Sequence, residues 1–128
     1  MTLRIVRLGS PRHPAEGLRI GTVRRPPRGV PKARFSLDDW YDVWFPTLAP
    51  SVETMKLGLA ARTDAQWRAF ARKYRTEMAA PGASRAIALL AALSRSANFS
   101  VGCYCENERR CHRSILRELL VRSGGKVS

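Results

Sequence analysis

Apolar and polar residues alternate over Leu3-Arg-Ile-Val-Arg-Leu8, the period of a half-buried strand, and Gly9-Ser-Pro11 closes it. Residues 18–23 repeat the pattern as a second strand. It runs into Arg24-Arg-Pro-Pro-Arg-Gly29, where consecutive prolines forbid helix and ladder donation and leave Arg24, Arg25 and Arg28 on a stiff loop. Ser36 then predicts the cap of a short helix over residues 37–45, with Asp38 and Asp39 favourable against its dipole. Ser51 predicts a second cap, for a short helix through Met55 and Leu57. Thr63 with Gln66 three residues on is a capping box, and Trp67, Phe70, Ala71, Tyr74 and Met78 recur on one helical stripe. Pro81-Gly82 breaks that helix, and residues 84–93 form an alanine-rich successor, apolar on most sides. A third strand is predicted over residues 99–105. A last helix follows over residues 111–122, with Ile115, Leu116, Leu119 and Leu120 inward and Gly124-Gly125 at its end. The pattern describes one α/β domain spanning residues 1–128, a small sandwich whose short, at least partly parallel central sheet is flanked by helices.

Composition narrows the setting. A chain of 128 residues, 45% of them hydrophobic, has enough apolar surface for a packed core. No apolar run approaches the roughly 18 residues of a membrane span, and the first residues lack the apolar stretch of a secretory signal, so no membrane partner is expected. All three cysteines fall within nine positions, which argues against a secreted disulfide framework and for a reduced, cytoplasmic protein. Charge is the strongest bias: 23 Lys and Arg against 10 Asp and Glu, a net +13. It is uneven, because residues 1–34 carry nine basic residues against a single acid, Glu16. Such a balance favours polyanions through counterion release. Nearly every basic residue is Arg, a usage that genome composition alone produces, so charge by itself reports non-specific affinity.

The chemistry-bearing residues gather where the last strand turns into the last helix, Cys103-Tyr-Cys105-Glu106-Asn-Glu-Arg-Arg-Cys111-His112-Arg113. A strand end holds side chains firmly and a helix start offers free N–H groups and a positive dipole end. Three readings compete. Cys103, Cys105, Cys111 and His112 are four soft metal ligands. Their spacing is poor for that role, however. In a strand Cys103 and Cys105 share a face about 7 Å apart, and on a helix Cys111 and His112 diverge by about 100°. No cofactor is therefore expected, metal ligation stands as an alternative, and Cys103 has a plainer reading as a small core residue.

The second reading takes Cys103 to Arg109 as the Cys-x5-Arg arithmetic of a phosphatase loop, with Glu106, Glu108 and the lack of glycine against it. The third, which the sequence favours, is an anion site. His112 and Arg113 lie in a helix's first turn, where a cation opposes the dipole unless an anion sits between. Glu106 is the expected orienting carboxylate, and Arg24, Arg25 and Arg28 complete a pocket for an anionic small molecule or nucleotide. Cys105, Cys111 and His112 are the candidates for any catalysis there. A non-enzymatic basic module for nucleic acid is the alternative of another class. Trp67, Phe70 and Tyr74 read as core, whereas Trp40, Tyr41, Trp44 and Phe45 crowd one short helix too densely for a single face.

Several segments resemble a known family. Leu3-Arg-Ile-Val-Arg, Pro27-Arg28-Gly29, Trp44-Phe45-Pro46 followed by Leu48-Ala49-Pro50-Ser51, and Trp67-x2-Phe70-x3-Tyr74 are similar to the YeaO-like proteins of the domain of unknown function 488 family. Cys105-Glu106 and Cys111-His112-Arg113 resemble that family's closing signature. The resemblance implies a small bacterial cytoplasmic α/β domain with its shared loops on one edge of the sheet, and it brings no established activity. Where the YeaO-like pattern reads Asp-Arg-Leu-Trp-Pro-Arg-Gly, this chain has Thr22-Val-Arg-Arg-Pro-Pro-Arg-Gly29, so of that motif Arg28 is the position carried over. Cys103 lies outside the family signature.

Overall fold

A computed structural model describes all 128 residues. Four strands form one sheet: β1 (Leu3–Arg7), β2 (Leu18–Gly21), β3 (Val43–Trp44) and β4 (Phe99–Cys103). Their spatial order is β1-β4-β2-β3, and every adjacent pair is parallel. Parallel strands need crossovers, and the one from β3 to β4 is built from α1 (Val52–Ala60), α2 (Asp64–Met78) and α3 (Pro81–Leu93); the β1–β2 and β2–β3 connections carry no α-helix, and α4 (His112–Arg122) follows β4. β4 lies between two partners and is buried along its whole length, and its one polar side chain, Ser100, is buried with it.

The local signals act as their chemistry requires. The Ser51 hydroxyl accepts from the Thr54 N–H at the start of α1, and Thr63 and Gln66 form both bonds of the capping box on α2. Pro81 does not end a helix so much as begin one, occupying the first position of α3, where its missing N–H costs nothing. The main core collects the α2 stripe (Phe70, Ala71, Tyr74, Met78) with Leu3, Ile20, Val101, Ile87 and the inward face of α4. Tyr74 is fully buried and donates its hydroxyl to the Leu48 carbonyl at 2.7 Å.

The predicted helix over residues 37–45 is absent. Turns occupy that stretch instead, Asp39 has a φ of 61°, and residues 43–44 pair with β2 as an edge strand. Tertiary bonds outweigh the local helix preference here. The Asp42 carboxylate accepts from Arg12, from the Ser36 hydroxyl and from the Arg19 backbone N–H, so it is held to β2 rather than to a helix start. The extended course also sends Tyr41 inward and sets Trp40 edge-on to Tyr104 at 5.8 Å. Gly21 makes room for this, since a Cβ there would lie 2.3 Å from the Tyr41 ring.

Beneath the same region Arg19 is 0% and Glu16 2% exposed. Arg19 binds Glu16 through Nε at 2.6 Å and Nη2 at 2.9 Å, and its Nη1 donates to the Ser10 and Asp39 carbonyls. Ser100 on β4 donates to the same carboxylate at 2.7 Å. One guanidinium thus pins the β1 exit and the 36–42 turn to two strands.

Candidate functional site at the carboxyl edge of the sheet

The central strand ends at Cys103, and the chain turns at once through Tyr104 and Cys105. A single 3-10 turn over Glu108–Arg110, whose entry is held by Asn107 accepting from the Arg109 N–H, returns it to the sheet. Cys111 is the N-cap of α4 with extended backbone (φ −129°, ψ 151°), and His112 is the first helical residue. A small apolar cluster of Leu8, Val23 and Tyr41 packs around Cys103 and Cys111.

Two steps of the spacing argument fail at this junction. Because β4 stops at Cys103, Cys105 does not continue along a strand face, and the two sulfurs lie 3.8 Å apart rather than about 7 Å. Because Cys111 is a cap with extended backbone, the 100° helical offset does not apply, and its sulfur lies 3.8 Å from His112 Nδ1. Donor atoms of Cys103, Cys111 and His112 all fall within 4.8 Å of one another, and all three residues are buried. His112 Nε2 is 2.8 Å from the Thr22 carbonyl. A carbonyl only accepts, so Nε2 carries the proton and Nδ1 presents its lone pair to the sulfurs. The Tyr74 ring packs against the imidazole, centroids 5.4 Å apart. Hydrogen bonds from Cys103 and Cys105, helped by His112, push the Cys111 thiol far down from its ordinary value. Contacts with Cys105 and Cys111, together with burial, push the Cys103 thiol far up.

These residues form part of the lining of a cavity of about 410 Å³. Its other walls are the diproline loop, with Arg24, Arg25 and Arg28, and an apolar side from Met55, Leu59, Trp67 and Phe70. The structure therefore brings the three loop arginines, Cys103, Cys105, Cys111 and His112 together. Tyr104 ties the two chain segments, donating its hydroxyl to the Arg25 carbonyl at 2.9 Å. The arginines differ in what they have free. The Arg24 guanidinium donates to the Pro46, Ala49 and Pro50 carbonyls at 3.0–3.2 Å and so braces the neighbouring loop. Arg25 and Arg28 are exposed, and neither guanidinium has a partner within the protein. Arg28 also borders a second cavity of about 460 Å³, with Arg7, Ser10 and Trp40.

Glu106 and Arg113 stand elsewhere than the sequence suggests. Glu106 is 85% exposed, its one ion pair is with Arg7 at 3.6 Å, and it orients neither His112 nor Arg113. The reason is the turn after Cys105, which swings residue 106 away from the start of α4. Arg113 is 3% exposed and donates to the Cys105 carbonyl at 2.6 Å, while its Nε has no partner. Arg109, the arginine of the Cys-x5-Arg arithmetic, is exposed on the 3-10 turn and does not line the cavity.

Sequence reasoning missed Arg110, which lines the cavity, pairs with Asp64 and packs over Trp67 at 5.6 Å. It also took Trp67 and Phe70 as core alone. Phe70 is buried, yet both face the cavity, and the placement of Trp67 in the first turn of α2 was the available signal.

The fold and its site define a class: a parallel α/β domain with a cysteine–histidine cluster at the carboxyl end of its central strand, where such sheets place their ligands. A family model for the active DUF488-N3 subclade matches residues 3–124, and the chain belongs to the DUF488 family. The family is one of unknown function, so membership supplies no reaction. No curated protein and no solved structure matches the chain.

Proposed function

We propose that this domain binds a small anionic ligand of nucleotide size and chemistry in the cavity beside residues 103–113. Arg25 and Arg28 are its anion donors, and the Trp67–Phe70 wall takes its planar or apolar part. One observation carries the reading: two exposed guanidiniums without internal partners stand at a cavity of about 410 Å³ that has an apolar wall. That volume lies within the range of small-molecule sites, and arginine forks suit phosphate oxygens. Arg113 and Glu106 have no part as ligand donors in this reading, the first being turned to the Cys105 carbonyl and the second to Arg7. Three free thiols within nine positions support a reducing, cytoplasmic setting.

Thermal unfolding in the presence of inorganic phosphate, nucleosides and nucleoside mono- and diphosphates tests the reading. Phosphate-bearing compounds are expected to raise the Tm, and nucleosides lacking phosphate to do so far less. Arg28→Ala should weaken the best ligand by about tenfold or more, the loss of one charge-assisted hydrogen-bond donor. A panel without any stabilising anion, or an affinity unmoved by Arg28→Ala, would overturn it.

A further inference from the structure

The geometry points to a tetrahedral zinc site made by the sulfurs of Cys103, Cys105 and Cys111 and by Nδ1 of His112. This goes beyond ligand binding in the cavity and does not depend on it. Zinc holds sulfur at about 2.3 Å and nitrogen at about 2.0–2.1 Å, so tetrahedral donors stand roughly 3.5–3.8 Å from one another. Cys103 and Cys105 are 3.8 Å apart, Cys111 and His112 Nδ1 are 3.8 Å apart, and the Cys103, Cys111 and His112 donors fit within 4.8 Å. Two edges of such a tetrahedron are thus already in place, and Cys105 joins the Cys103–Cys111–His112 group through its contact with Cys103.

The surroundings agree with a metal. Zinc-bound imidazoles hand their other N–H to a carbonyl or carboxylate, which fixes the tautomer and ring orientation. His112 does so through Nε2 to the Thr22 carbonyl at 2.8 Å, leaving Nδ1 as the ligand nitrogen. Charge supplies a second, independent argument. Arg113 is 3% exposed, makes no ion pair, and has an Nε without any partner. An isolated buried cation is costly, and one beside the positive end of an eleven-residue helix more so. No acid lies in the first turn of α4, and Cys111 gives it no side-chain cap. Three thiolates, one neutral imidazole and one Zn²⁺ sum to a single negative charge, which matches the unpaired guanidinium. On binding, each ligating thiol that is protonated releases its proton to solvent, and Nδ1 contributes its lone pair without a proton change. Four protein donors close the coordination sphere, so the ion ties the exit of β4 to the start of α4.

Cobalt(II) titration of the reduced, chelator-stripped 128-residue chain reads this site alone. One equivalent should bind, with the visible absorption of a tetrahedral ion and near-ultraviolet charge transfer at the level of three thiolates; zinc should bleach both stoichiometrically. Cys105→Ala is the informative variant, because Cys105 is half-buried and its loss is compatible with folding, which circular dichroism verifies. It should lower the charge transfer to the level of two thiolates and weaken zinc binding by at least about tenfold. Folded, reduced protein that takes up no stoichiometric tetrahedral cobalt overturns the proposal. So does a Cys105→Ala variant with unchanged spectrum and affinity. Thermal shifts by phosphate compounds, recorded on the same stripped and loaded samples, report the cavity's anion binding separately.

Discussion

Arg19 is the largest side chain without exposure, and everything around it explains why a charge can be there. Its bidentate bond to Glu16 and its three carbonyl partners, Ser10, Pro11 and Asp39, satisfy the guanidinium, while Ser100 and the His13 N–H satisfy the carboxylate. Removing one partner leaves the other charge buried and alone, which costs about 3–5 kcal/mol. Glu16→Gln is therefore expected to lower the urea midpoint sharply. The pH dependence has a definite sign. Burial raises the Glu16 carboxyl, but hydrogen bonds from Arg19 and Ser100 and the Arg19 charge outweigh it, leaving it below the ordinary carboxylate range. Glu77, held by Ser51 and Thr54, and Asp42, held by Arg12 and Ser36, are shifted the same way. Carboxyls with depressed folded values add stability that is complete above their unfolded pKa and is lost as pH falls through the folded one. The carboxyl contribution to the unfolding free energy should be flat with pH above about 5 and decline below it, and Glu16→Gln should make that decline shallower.

At the scale of elements, Gly21 and Tyr41 decide whether β2 and the 36–42 turn close together. Gly21→Ala places a methyl 2.3 Å from a buried ring, and such overpacking costs about 1–3 kcal/mol. Equilibrium denaturation should show that loss, and adding Tyr41→Leu should recover part of it, a non-additivity that independent sites would not give. What could be read in the sequence follows the same division between local and tertiary causes. The α2 capping box, its stripe from Phe70 to Met78 and the Ser51 cap are local signals, and the chain obeys them. The region from Ser36 to Phe45 carried local helix signals too, but the partners that overrule them, Arg12 and Arg19, lie about twenty or more residues earlier. The cysteine spacing misled for a related reason. It assumes regular strand and helix geometry at positions where β4 has ended and α4 has not begun. The placement of Arg25 and Arg28 beside that junction was legible, since parallel strands of one sheet end on the same edge. The outward turn of Glu106 and the burial of Arg113 were not, because both depend on a single 3-10 turn.

For the whole molecule the question is how a net charge of +13 relates to the cavity. No helix is long and apolar enough to cross a membrane, and the excess of basic residues is greatest in residues 1–34, which include the Arg25–Arg28 loop. A surface of this kind attracts any polyanion, so binding to nucleic acid alone does not distinguish a module for it from a cavity that takes one nucleotide. Salt does distinguish them, because affinity falls with the number of phosphates neutralised. A ligand held by Arg25 and Arg28 engages one or two phosphates, and its affinity should drop by about tenfold between roughly 50 and 200 mM salt. A random single-stranded oligonucleotide bound across the basic surface should lose about a thousandfold or more over the same interval. Fluorescence anisotropy with a labelled mononucleotide and a labelled oligonucleotide measures both slopes. Arg28→Ala should weaken mononucleotide binding by about tenfold or more while shifting the oligonucleotide slope by about one unit, the contribution of a single phosphate contact. If the oligonucleotide alone binds, and Arg28→Ala affects it no more than Arg122→Ala on the exposed end of α4, the charged surface rather than the cavity is the binding device.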